Sequence, residues 1–219
     1  MVRQQIFFII LGILLGVTHC KQQEKEKKMQ VDPNAPVILF LGDSLTAGFG
    51  VPVEKSFPSL VQQAFLRENI GLRVINGGRS GDTSAGGLDR LDWYLQSNLP
   101  IKHFVLCLGS NDAMRGLPLP QLEQNLNKIL NRVRTEYPEA KIYISQLYTF
   151  SNLGESYTAQ FEEIFPRVAQ KQGATLLPFI LSDVAGQAHL NQPDGIHPNE
   201  QGTQLVADFV LKELKPHLN

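Results

Sequence analysis

Apolar and polar positions along the chain fall into blocks of two lengths. Short apolar runs lie at 37–41, 73–75, 104–108, 142–147 and 175–177, rich in Val, Ile and Leu and bounded by Gly, Pro, Asn or Ser. That is the pattern of strands buried on both faces. Longer segments with helical spacing lie between them. One spans about 57–69, and another carries Leu88, Leu91 and Leu95 and reaches about 97. A third is marked by Leu122, Leu126, Ile129, Leu130 and Val133, and a fourth by Phe161, Ile164, Phe165 and Val168. Pro166 is expected to kink or shift that fourth segment. The last shows Leu205, Val206, Phe209, Val210 and Leu214 as one stripe. Five strands alternating with five helices predict an α/β fold, a parallel sheet covered by helices on both faces. Ligands bind beyond the carboxyl ends of such strands, so the polar residues there are the ones to weigh.

The first twenty residues, MVRQQIFFIILGILLGVTHC, stand outside this alternation. Their apolar run from Ile6 to Val17 is shorter than the roughly 20 residues of a membrane span and has the length of a signal-peptide core. The stretch resembles a bacterial lipoprotein signal, in which an aliphatic residue and two small ones precede a cysteine that becomes acylated, here Cys20. Val17 and Thr18 fit that pattern; His19 departs from it, because a small residue is usual there. An uncleaved anchor and an ordinary secretory signal are the alternatives, although no small-x-small cleavage site is visible. The lipoprotein reading places the protein outside the cytoplasm, membrane-anchored in the periplasm or at the cell surface. Residues 21–34 are charged, poor in apolar positions and closed by Pro33, which reads as a flexible linker. The folded part is expected to begin near Ala35.

Composition narrows the picture without deciding it. The chain has 219 residues, 42% hydrophobic and 19% charged, with a formal net charge of −1. These values suit a globular protein with a proper core. Basic residues matched by acids give no electrostatic case for a nucleic-acid partner. Cys107 is the one cysteine beyond the leader, so the folded part forms no internal disulfide. In the run HFVLCLG it reads as a small buried hydrophobe.

Four polar clusters carry the candidate chemistry. Gly42-Asp43-Ser44-Leu45 follows the first strand, where a tight turn would expose the Ser44 hydroxyl and the following helix would favour developing negative charge. Asp and Ser also cap helices, so this tetrapeptide alone does not choose. INGGRSGDTSAGG, 75–87, has glycines that let backbone N–H groups approach a ligand, but no Gly-Lys-Ser/Thr completes a phosphate loop. Gly109-Ser110-Asn111-Asp112 follows the third strand, and the Asn111 amide is either an oxyanion donor or a turn residue. QPDGIHPN, 192–199, precedes the last helix. There Asp194 can curl back onto one imidazole nitrogen of His197 and leave the other to take a proton from a serine, or Asn199 can simply cap the helix. No close His/Cys/Asp set with metal-ligand spacing accompanies these residues.

Taken together, Gly42-Asp43-Ser44-Leu45, the glycine of Ser80-Gly81-Asp82, Gly109-x-Asn111-Asp112 and Asp194-x-x-His197 resemble the four sequence blocks of the GDSL/SGNH hydrolases, in that family's order. SGDTSAGGLDRL, GSNDAMRG and DGIHPN are similar to segments of its bacterial acyl-CoA thioesterase I, lysophospholipase L1 and arylesterase group. The resemblance covers nearly all of 35–218, and residues 35–219 are read as one hydrolase domain. It implies a flavodoxin-like, three-layer α/β/α fold with a five-stranded parallel sheet and a triad of Ser44, Asp194 and His197. It further implies an oxyanion hole made by the backbone N–H groups of Ser44 and Gly81 and the Asn111 side chain. The implied enzyme is a serine hydrolase of carboxylic esters or thioesters, lysophospholipids among them, that works through an acyl-serine intermediate without metal or organic cofactor. AMRGLPLP, 113–120, is expected to form one wall of the acyl site through Met114 and Leu117, or else to pack on its own domain. The aromatic residues of YTFSNLGESY are a second candidate wall. A carbohydrate O-deacetylase with the same triad and a non-catalytic surface binding lipoprotein are the rival readings.

Overall fold

The computed structural model describes residues 31–218. The leader, Cys20 and the linker through residue 30 lie outside the described residues. The sheet consists of β1 (Val37–Gly42), β2 (Arg73–Gly78), β3 (Ile101–Cys107), β4 (Lys141–Ser145) and β5 (Thr175–Leu177). All its pairings are parallel and the strand order is β2-β1-β3-β4-β5. The helices are α1 (Ser44–Ala47), α2 (Phe57–Glu68), α3 (Ser84–Leu95), α4 (Ser110–Met114), α5 (Leu119–Glu136), α6 (Glu155–Gln172) and α7 (Glu200–Leu214).

Two apolar clusters make this a three-layer domain. Ile38 and Phe40 of β1 point to one face, where they meet Phe57, Val61 and Phe65 of α2 and Val206 and Val210 of α7. Val37, Leu39 and Leu41 point to the other, against Leu91 of α3, Leu126 and Ile129 of α5 and Phe161 and Phe165 of α6. Side chains alternate across a strand, so a central strand covered on both faces must be apolar at every position. Every residue of β1 is buried. Each large apolar side chain there contributes roughly 1.5–3 kcal/mol by leaving water.

The elements depart from the sequence expectation at identifiable places. β2 runs three residues beyond 75, through Asn76-Gly77-Gly78, because it is an edge strand with partial burial and needs no apolar run to pair with Phe40–Gly42. β4 stops at Ser145, and the Gln146 side chain instead donates to the carbonyls of Leu147 and Glu162. α6 continues through Pro166 as one helix, its stripe of Phe161, Ile164, Phe165 and Val168 buried throughout. α1 is a single turn, ended by Gly48 at φ +80. The macrodipole expected behind Ser44 is correspondingly small.

Topology locates the functional edge. From β1 the chain runs outward to β2, and from β2 it crosses back over β1 to β3, so the connections diverge between β1 and β3. Crevices form at such a switch point, beyond the carboxyl ends of the strands. Gly42 ends level with Gly78 on one side and Cys107 on the other. The clusters containing Ser44, Gly81 and Asn111 therefore leave the sheet side by side.

Candidate active site

Ser44 stands on the tight turn at the end of β1. A Cβ on Gly78 would lie 2.1 Å from the Ala47 backbone nitrogen, so a glycine at the end of β2 lets that turn settle against the sheet. Asp43 is buried and caps the turn, its Oδ1 accepting from the Leu45 N–H at 3.1 Å. Burial pushes its carboxyl up to about 6, against the pull of the Leu45 N–H and of a charge on His197.

His197 arrives from the loop before α7. Its Nε2 lies 2.8 Å from Ser44 Oγ, and its Nδ1 lies 2.6 Å from Asp194 Oδ2. An ionised carboxylate only accepts, so the ring proton sits on Nδ1 and Nε2 is free to accept from the serine. Asp194 Oδ1 meanwhile accepts the backbone N–H groups of Ile196 at 2.9 Å and His197 at 3.0 Å. The His197 N–H, the His197 side chain and the Ile196 N–H, in that order, hold the Asp194 carboxyl down at about 2. Asp194 therefore stays charged wherever a histidine can act as a base.

Asn111 joins the Gly81 loop to the turn that carries Ser44, its Nδ2 reaching Asp43 Oδ2 at 3.4 Å as well as the Asp82 carbonyl. Gly81 takes φ +80, a left-handed conformation suited to glycine. Its carbonyl accepts from Arg115 Nη2 at 2.7 Å. The neighbouring Asp82 carbonyl accepts from Asn111 Nδ2 at 2.9 Å, so the Gly81-Asp82 segment is held from two sides. Among the described residues, the Ser44 and Gly81 backbone N–H groups donate to no other protein group. The Asp82 carboxylate pairs with Arg90, whose Nη2 also donates to the Gly42 carbonyl at 2.9 Å. That arginine ties the Gly81 loop to the end of β1.

A cleft of about 390 Å³ opens beside Ser44 and His197. Met114, Tyr148 and Phe150 line it, as do Phe179, Leu181 and Ile196. Leu117 does not. Gly116 turns the chain at φ +62, and the Leu117 carbonyl accepts from the hydroxyl of Tyr157, which ties that residue to α6 instead. Three features escaped the sequence reading. Phe179 and Leu181 come from the irregular segment after β5, whose apolar letters were the only available signal. Phe49 places its ring 4.6 Å from that of His197. Gln192 links their two loops through backbone carbonyls, which no motif reports.

The three-layer parallel fold and this serine-centred hydrogen-bond chain define a hydrolase, and the comparisons identify its family. Residues 40–205 match the GDSL-like Lipase/Acylhydrolase family, and the chain belongs to that family. It is 37% identical over 181 residues to an arylesterase of Vibrio mimicus, covering 83% of this chain and 89% of the relative. It is 35% identical over 185 residues to the thioesterase 1/protease 1/lysophospholipase L1 of Escherichia coli K12, covering 84% and 86%. Among solved structures it is similar to the psychrotrophic esterase EstA of Pseudoalteromonas sp., with a TM-score of 0.79, 32% identity and coverage of 84% and 98%. The protein is an ester hydrolase.

Proposed function

We propose that Ser44 is the nucleophile of a two-step acyl transfer, His197 its general base and acid, and Asp194 the group that orients and charges the imidazole. Ser44 Oγ bonds to the substrate carbonyl carbon while its proton passes to His197 Nε2. The oxyanion that forms is held by the N–H groups of Ser44 and Gly81 and by the Asn111 amide. Collapse expels the alcohol or thiol, which leaves with the proton from His197. Water then attacks the acyl-serine, gives its proton to His197, and the second collapse releases the carboxylic acid and returns the proton to Ser44 Oγ. The observation that carries this reading is the unbroken chain Ser44 Oγ, His197 Nε2, His197 Nδ1, Asp194 Oδ2, at 2.8 and 2.6 Å.

The same reading assigns an acyl or aryl group to the cleft. Its wall of Met114, Tyr148, Phe150, Phe179, Leu181 and Ile196 is apolar, which favours such substrates over the acetylated sugars of a deacetylase. The V. mimicus relative is named an arylesterase and the E. coli relative a thioesterase and lysophospholipase, which frames the esters to try. Turnover of a p-nitrophenyl ester series from acetyl to palmitoyl, by the wild type and Ser44→Ala, is the test. Serine-dependent turnover with a preference for longer or aromatic acyl groups is expected. A Ser44→Ala protein that still turns over removes the mechanism, and a strict preference for acetyl removes the cleft assignment.

Export as a membrane-anchored lipoprotein acylated at Cys20 belongs to the same proposal, supported by the apolar leader and the charged linker after it. Mass spectrometry of the mature N-terminus tests it. An unmodified Cys20, or a start at another residue, sinks it.

A further inference from the structure

The reacting chain is assembled from two loops far apart in sequence, since Ser44 and His197 are 153 residues apart. Their alignment to within hydrogen-bond distance needs something that fixes one loop against the other. Gln192 makes that connection. Its Nε2 donates to the Phe49 carbonyl at 2.7 Å and to the Pro198 carbonyl at 2.9 Å. Its backbone N–H donates to the His197 carbonyl at 2.8 Å, and its own carbonyl accepts from Gly195 at 2.9 Å. Both amide hydrogens are thus used, one on each loop.

The opposite loop is shaped to receive this side chain. Gly50 takes φ +75, and a Cβ there would lie 2.0 Å from Gln192 Oε1. Phe49, whose carbonyl the amide holds, packs its ring against His197 at 4.6 Å. Gln192 itself is only half-buried. Its loss therefore removes little core packing and chiefly frees the two loops from each other.

We propose that Gln192 is a positioning residue that sets the Ser44–His197 contact by clamping the Phe49-Gly50 segment to the Asp194–His197 loop. This rests on the assignment of Ser44 and His197 as nucleophile and base. A primary amide can give two hydrogen bonds at once. An ionised carboxylate of the same size gives none, and a protonated one gives a single bond.

The test uses the full-length chain with Gln192→Ala, Gln192→Glu and Ser44→Ala. The readouts are kcat and KM on a p-nitrophenyl ester, the rate of serine phosphonylation by a p-nitrophenyl phosphonate, and the melting temperature. Misplacement on the order of 1 Å costs about 10²-fold in rate. Both Gln192 variants are therefore expected to lose roughly 10- to 100-fold in kcat and in phosphonylation rate, with KM changed less than about threefold. The ratio of Gln192→Glu to wild-type kcat should rise as pH falls toward about 4.3, where the new carboxyl regains a donor. That recovery also identifies the clamp if Gln192→Ala folds poorly. Wild-type kcat in both variants, or a loss confined to melting temperature, overturns the inference while an inactive Ser44→Ala leaves the site assignment standing. An active Ser44→Ala overturns both.

Discussion

His103 is a buried base at the amino-terminal edge of the sheet, remote from the cleft, and it makes the stability of this protein fall in mild acid. It begins the unbroken buried run of β3, 5% exposed, with Nδ1 3.1 Å from the Tyr143 hydroxyl. Burial first, then Lys141, His217 and Lys102 around it, push its pKa from 6.5 down to about 4. The unfolded chain therefore binds a proton below pH 6.5 that the folded protein refuses until about pH 4. Stability is lost as pH falls through that window, at 1.36 kcal/mol per unit. Between pH 7 and pH 4.5 the loss from this one group is about 2.4 kcal/mol, roughly 5–10 °C in Tm for a chain of this size. Other groups titrate over the same range, so the measurement is the difference between wild type and His103→Phe, which keeps a ring and cannot ionise. Urea unfolding of both at half-unit pH steps gives that difference. His103→Phe should pay a constant offset of about 1 kcal/mol for the Tyr143 hydroxyl it leaves unpaired, and then gain on the wild type by about 2 kcal/mol on acidification. Parallel curves would refute the reasoning.

Asp43 has the opposite sign. Its folded pKa of about 6 lies above the ordinary 3.8, so the folded protein keeps a proton that the unfolded chain has released. Wild-type stability should therefore drop by about 2 kcal/mol relative to Asp43→Asn as pH rises from about 4 to 6, read by the same unfolding series. Asn111→Ala should lower kcat roughly 10²- to 10³-fold with KM little changed, the cost of one oxyanion donor. Asp194→Ala should lower kcat on the order of 10⁴-fold while the fold persists, because the imidazole loses its orienting carboxylate. Gly78→Val forces a Cβ to 2.1 Å from the Ala47 nitrogen and should cost about 1–3 kcal/mol in chemical denaturation, with a loss of activity from the displaced Ser44 turn.

The alternation of strands and helices was legible because strands covered on both faces must be almost wholly apolar, as Ile38–Leu41 are. The same rule failed at β2, where an edge position relaxes the demand for burial and Asn76-Gly77-Gly78 still pair. Ser44, Gly81, Asn111, Asp194 and His197 could be singled out only as a set, because their four blocks together resemble those of the family; each block alone also reads as a helix cap or a turn. Gln192 could not, since its partners are the carbonyls of Phe49 and Pro198 and any residue supplies a carbonyl. Leu117 misled for a related reason. It has the right chemistry in the right loop, but the backbone turn at Gly116 decides where it goes.

The two ends of the described chain share one side of the domain. Val31 and Asp32 border a depression with Phe65, Leu66 and Asn69 at the carboxyl end of α2, and Lys215 pairs with Glu68 of the same helix end. Lys141, at the amino end of β4, donates to the His217 carbonyl. Ser44 lies at the other side, about 20 Å away along a six-residue strand. Residues 31 and 218 thus both sit on the blind side of the cleft. A support coupled at either end, or a host protein into which the domain is spliced, leaves the mouth of the cleft unobstructed. A short loop joining residue 218 to residue 31 would close the chain into a ring that can be reopened at an exposed turn. This architecture accepts new connectivity without rebuilding its chemistry.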